Sequence, residues 1–142
     1  MEEKVREAIA NAVTTEPFAQ TMGMKLLELS DGHSRVSMKL RPDFMDNIYS
    51  RAHGGAVFGL LDEAFETASQ TGGTIAVAMN VNITYVASPD PGATIIAEAN
   101  RISRTKRTAG FSITVAQEDG KLIATCQALA YDTGKPIPFV KG

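Results

Sequence analysis

The sequence predicts an α+β fold, an antiparallel sheet wrapped around one long central helix. Three observations carry this expectation. Residues 56–68 read as a helix that is apolar almost all the way round, with Val57, Leu60, Leu61, Ala64, Phe65 and Ala68 at the spacing of a buried face. Most of the remaining chain shows period-two strand patterns joined by short turns, which antiparallel sheets with one buried face produce. The central helix is the one element apolar enough to cover that face, so two layers result.

In chain order, residues 1–22 form an N-terminal helical segment, with Val5, Ala8, Ile9, Ala12 and Val13 at helical spacing. Pro17 interrupts it, and a short second turn runs to Gly23. Met24 to Leu29 is a strand ending in an Asp31-Gly32 turn, and Val36, Met38 and Leu40 alternate along the next strand until Pro42. The stretch 43–52 has no period and reads as a loop into the central helix, which Gly72-Gly73 stops. Ile75, Val77, Met79, Val81, Ile83 and Tyr85 are then expected on one face of a long strand, ended by Pro89-Asp90-Pro91-Gly92. Ala93 to Ser103, a strand through Phe111, Ile113 and Val115, and Leu122 to Tyr131 complete the sheet. Residues 132–142, rich in Pro and Gly, read as an irregular tail.

Composition bounds the function. The 142 residues make a single domain, 1–142, large enough for its own core. A net charge of −2 and a pI near 5.7 supply no field to draw nucleic acid or anionic lipid over the whole surface. No apolar run reaches the roughly 18 residues of a membrane span, and the charged N-terminus lacks a signal peptide's apolar centre. The single cysteine, Cys126, cannot form an internal disulfide, so a reducing, cytoplasmic setting is expected. No His/Cys cluster has metal-ligand spacing, and no dinucleotide or phosphate-cradling glycine motif occurs.

One residue stands out chemically. Asp62 lies mid-helix beside Leu60, Leu61 and Ala64, where a carboxylate costs several kcal/mol unless paired or protonated. Glu63 and Glu66 beside it read as solvated or interfacial groups. The helix opens at His53-Gly54-Gly55, where unpaired N–H groups and the positive end of the dipole face whatever sits there. Each feature has a plainer reading: Asp62 as a structural ion pair, His53 as a helix cap, Asn47 as a turn residue, Gly54-Gly55 as a close-packing device.

The pattern Asn47, His53-Gly54-Gly55, Leu61-Asp62, followed by MNVNITYVASPDPG and RTKRTAGFSITVAQEDGKLIATCQALAY, resembles the hotdog-fold acyl-CoA thioesterases, particularly their phenylacetate-degradation branch. The likeness runs from Met24 to Tyr131. It implies hydrolysis of an acyl- or aryl-acyl-CoA, with Asp62 as general base or nucleophile and the Gly54 N–H polarising the thioester carbonyl. Asn47 and His53 would line the site, with Gly55 beside them, and Arg104, Lys106 and Arg107 would meet the coenzyme A phosphates. Where relatives place a Ser or Thr on the strand after the helix, this chain has Ala78, and Asn80 or Asn82 is expected to replace that contact. Coenzyme A enters only as part of the substrate, with no metal or other cofactor. The other readings are a dehydratase or hydratase on the same fold, which uses a different motif, and a non-catalytic acyl-CoA sensor, which needs an output domain.

Exposed strand edges predict a homodimer with a continuous sheet, doubled into a homotetramer. Gly54 and Asp62 lie roughly 12 Å apart along the helix at about 1.5 Å per residue. They are expected on nearly opposite sides, so the site should be shared between two chains.

Overall fold

A computed structural model describes residues 1–140. Its elements are α1 (Glu3–Val13), α2 (Pro17–Met22), β1 (Lys25–Ser30), β2 (His33–Lys39), α3 (Pro42–Met45), α4 (Gly54–Ser69), β3 (Thr74–Tyr85), β4 (Thr94–Arg104), β5 (Thr108–Gln117) and β6 (Leu122–Pro136). The six strands form one antiparallel sheet in the order β1-β2-β4-β5-β6-β3, curled around α4. This is the hotdog architecture.

Periodicity explains the packing. Val36 and Met38 of β2, Ile95, Ala97 and Ala99 of β4, and Ile113 and Val115 of β5 are fully enclosed against α4. Phe65 meets Phe111 edge to face at 5.4 Å between ring centres. Two polar contacts fix the helix on the sheet. The Ser34 hydroxyl lies 2.6 Å from that of Thr67, and the Gly32 N–H donates to Thr71 Oγ1 at 2.9 Å. Both are buried, so each offsets a desolvation cost that an unpaired partner would leave standing. Outside this core, Val5 and Ile9 of α1 pack on Ile137 as a small separate cluster.

The structure departs from the sequence expectations in several places. Helix α4 ends at Ser69, short of Gly72-Gly73, because the Gln70 side chain turns back to bond both the N–H and the carbonyl of Ala76. The loop after Pro42 holds the short turn α3. The tail is not irregular throughout. Strand β6 continues to Pro136 because the first residues of β3 need a partner, with Ala76 opposite Asp132 and Thr74 opposite Pro136. Gly134, at φ +72°, absorbs the strain there. Of that tail, residues 141–142 lie outside the described residues.

The long strand β3 does not present one apolar face. A bulge between Ala78 and Asn80 adds a residue and reverses the alternation. Ala76 precedes the bulge on the core side, while Val81 and Ile83 face the core after it. Val77 and Met79 are left exposed, on an edge strand with no neighbour in this chain.

Candidate active site

Helix α4 is buried on most sides but keeps one open stripe. Gly55, Asp62 and Glu66 are exposed along it, while the helix-facing residues between them are enclosed. At its N-terminus, His53 has extended backbone and its Nδ1 accepts from the Gly55 N–H at 2.8 Å. The His53 carbonyl accepts from Ala56 and, at a longer distance, from Val57. The Gly54 N–H meets no acceptor among the described residues. His53 is therefore the helix cap, and its capping leaves one N–H, that of Gly54, pointing out at the positive end of the helix dipole.

The loop ahead of the helix is built to hold that corner. Asn47 Oδ1 accepts from the N–H groups of Tyr49 at 2.8 Å and Arg51 at 3.2 Å, the hydrogen-bonding of a turn organiser. The His53 N–H donates to the Met45 carbonyl at 2.7 Å. A residue not singled out for this corner is Tyr85, whose hydroxyl donates to the Gly54 carbonyl at 3.1 Å. A Cβ on Gly54 would lie 3.2 Å from the Tyr85 ring, so this position has almost no room for a side chain.

Asp62 occupies a different place. Eight steps of about 100° bring it only about 80° round the helix from Gly54, not to the opposite side. The separation that counts is therefore axial. Asp62 opens into a cavity of about 570 Å³ shared with Phe18, Gly59, Glu66, Val77 and Ala78, and Gly54, His53 and Asn47 do not line it. Although its outer side meets solvent in the isolated chain, burial pushes the Asp62 carboxyl above the ordinary range, and the Glu16 charge pushes the same way. Ala78 is in the cleft, where the resemblance led us to expect it. Asn80 and Asn82 pair across from Leu129 and Gln127 and bond each other through their side chains. The bulge turns both away from α4, so within one chain neither substitutes for a hydroxyl beside Asp62.

The basic residues sit at the far end of the sheet. Arg104 closes β4 close to Gly72, and Lys106 and Arg107 lie in the exposed turn to β5. Arg107 reaches the Tyr131 hydroxyl at 3.4 Å, and none of the three forms an ion pair among the described residues. That turn adjoins the start of β3, while Tyr85 and Gly54 adjoin its end, roughly 35 Å away at about 3.3 Å per residue. One chain thus spreads the predicted site residues over three locations.

The family model of the thioesterase superfamily matches residues 49–124, more than half of the chain. The chain belongs to the thioesterase superfamily. As a member it is a thioester hydrolase with the hotdog fold. It is 30% identical over 119 residues to a putative esterase of Archaeoglobus fulgidus, covering 84% of this chain and 77% of the relative. It is 26% identical over 119 residues to the acyl-coenzyme A thioesterase PaaI of Escherichia coli, covering 84% of each. The structure of E. coli PaaI superposes with a TM-score of 0.89 at 25% identity, over 94% of this chain and 96% of that one. A mutant form of the phenylacetic acid degradation protein PaaI from Thermus thermophilus superposes with a TM-score of 0.77 at 34% identity, over 82% and 98%. The matched span holds Gly54, Asp62 and the basic turn.

Glu63 corrects the sequence reading. It is not solvated but only 3% exposed, tucked against Glu16 and Glu66. The signal was in the period: Ala56, Leu60, Glu63 and Thr67 share one enclosed face at helical spacing. Cys126 is buried and its thiol is pushed up by burial, in keeping with an inert packing residue.

Proposed function

We propose that this thioesterase hydrolyses acyl- or aryl-acyl-CoA to the free acid and coenzyme A, in sites shared between two chains. The single observation that carries the reading is the uncapped Gly54 N–H at the start of a buried helix, with the only carboxylate of the matching motif held about 12 Å further along. In this scheme Gly54 of one chain donates to the thioester oxygen as negative charge develops there, a role for which a fixed N–H in a water-poor site is suited. Asp62 of the other chain removes a proton from water as the water oxygen attacks the carbonyl, or attacks the carbonyl itself to form a mixed anhydride that water then hydrolyses. In both, the C–S bond breaks and the coenzyme A thiolate leaves. The raised proton affinity of Asp62, set by burial and the Glu16 charge, makes it a stronger base than a solvated carboxylate.

Support for the second chain comes from the edge. Strand β3 ends the sheet with Val77 and Met79 about half exposed at 49% and 56%, which is where an antiparallel copy would pair. Such a pairing about a two-fold axis runs the two α4 helices antiparallel and brings each Asp62 toward the other helix start. A homodimer of this kind, doubled into a homotetramer, also offers the basic turn of another chain for the coenzyme A phosphates. His53 and Asn47 hold the corner that carries Gly54, with Gly55 in the cap. The function is tested by thiol release over a panel from acetyl-CoA to phenylacetyl-CoA. Steady turnover of one acyl class, lost in Asp62→Asn, is the expected result, and stoichiometric binding without turnover would refute hydrolysis.

A further inference from the structure

Three carboxylates meet beside α4 without a counter-charge. Glu16, from the turn between α1 and α2, joins Glu63 and Glu66, with one oxygen of each within 4.8 Å of the others. Glu63 is only 3% exposed, and its Oε2 finds no hydrogen-bond partner, nor does Oε2 of Glu16. Cavities of about 410 Å³ and 570 Å³ flank the cluster, both lined by Glu16 and Glu66, and Asp62 faces the larger. No Lys, Arg or His is among the residues lining either one. The one amide nearby, that of Gln70, is already committed to Ala76.

An enclosed carboxylate without a counter-charge, as Glu63 is, is neutralised in one of two ways, by holding a proton or by ligating a cation together with its neighbours. The geometry points to the second: we propose that Glu16, Glu63 and Glu66 bind a hard divalent cation of about the size of calcium. Oxygens ligating one such ion at about 2.3–2.6 Å lie at most about 5 Å apart, a limit that oxygens all within 4.8 Å of one another meet. The flanking cavities leave room for the water ligands that complete the shell. The comparable acidic group of the described residues, Glu28, His33 and Glu98, carries no such argument, because Arg35 already bonds Glu28 at 2.8 Å and lies 3.5 Å from Glu98.

Asp62 is not one of the three ligands but opens into the same cavity as Glu16 and Glu66, and the ion takes no part in the hydrolytic step as described. Binding has a proton signature. Ligation requires the carboxylates, so each ion bound releases protons and affinity rises with pH.

The test is calorimetric titration of the chelator-treated full chain with calcium chloride at pH 6 and pH 8. The expected result is one ion per chain with a Kd tighter than ~1 mM, the weak end of oxygen-ligand sites, and tighter at pH 8 than at pH 6. Glu63→Gln, near-isosteric, should weaken binding at least tenfold, and Glu16→Gln should do the same from a different element. Thermal unfolding of both variants reports that they fold. Absence of saturable binding, together with a protonated-carboxyl infrared band that calcium leaves unchanged, means that protons alone neutralise the cluster and overturns the proposal. Binding of undiminished strength in both variants places the ion elsewhere and overturns it equally.

Discussion

The two halves of α4 solve opposite problems. Its N-terminal corner is positive and short of acceptors, with one N–H left uncapped by an otherwise well-built loop. Its middle is negative and short of donors, with Asp62 in one cleft and Glu63 enclosed beside it. Elsewhere the helix is ordinary core. A core helix has no packing reason to keep either defect, since an uncapped N–H and an enclosed, unpaired Glu63 carboxyl both forgo hydrogen bonds. In the proposed mechanism the complementary signs have complementary uses: one end stabilises developing negative charge and the other supplies a base. Their spacing along a rigid rod also explains why a second copy is invoked.

The comparison breaks most sharply at Asp62. Asp62→Asn should reduce kcat by about 10²–10⁴-fold with little change in substrate affinity, the range for loss of a general base. A stopped-flow or steady-state thiol assay measures this. An unchanged kcat would move the negative end of the helix out of the chemistry.

Next in size is the basic turn. Replacing Arg104, Lys106 and Arg107 with Ala should raise KM for CoA esters on the order of tenfold, equivalent to about 1.4 kcal/mol. Added salt should then raise KM less steeply than in the unaltered protein. A pantetheine ester without those phosphates should be turned over as before. Equal losses on both substrates would mean a folding defect rather than lost phosphate contacts.

The acidic end can also be tuned. The Glu16 charge helps raise the proton affinity of Asp62, and a base works only when deprotonated, so activity should climb as pH rises through the Asp62 titration. In chelator-treated protein Glu16→Gln removes only a like charge, and the acid limb of the kcat/KM profile should shift to lower pH by a fraction of a unit. A shift upward would mean that Glu16 acts on Asp62 in some other way.

The smallest effect belongs to the positive end. His53→Ala removes a helix cap and should cost about 1 kcal/mol of unfolding free energy, as caps usually do. Urea denaturation would read it. A loss several times larger would show that His53 supports more than the cap.

Much of the fold was legible because its two periods are clean. The 3.6-residue stripe of α4 and the alternation of β2, β4 and β5 predicted the core that Leu60, Met38 and Ile113 form. Asp62 was legible as an oddity because a carboxylate conflicts with its apolar helix neighbours, whereas the roles expected of Gly54 and the basic turn rested on the family resemblance. Three things were not readable. The bulge beyond Ala78 leaves no signature in an alternating apolar strand, so Val77 and Met79 were expected on the core face and Ala78 on one face with Asn80 and Asn82. The continuation of β6 through Thr133 and Gly134 answers the demand of β3 for a partner, a tertiary constraint that local turn chemistry conceals. The acidic cluster brings Glu16 to Glu63 across the packing of α2 against α4, and no spacing in the chain announces it.

The central claim is that one site draws on two chains, and mixed dimers test it most directly. Asp62→Asn keeps an intact Gly54 corner, and Gly54→Val keeps an intact Asp62 while placing a side chain against the Tyr85 ring. Each variant alone should be inactive. Refolding equal amounts together should make half the dimers mixed, each with one intact and one doubly damaged site. Activity should then return to about a quarter of the unaltered enzyme, as two-fold symmetry requires. Mixed dimers verified by native mass spectrometry that remain inactive would contradict the shared site.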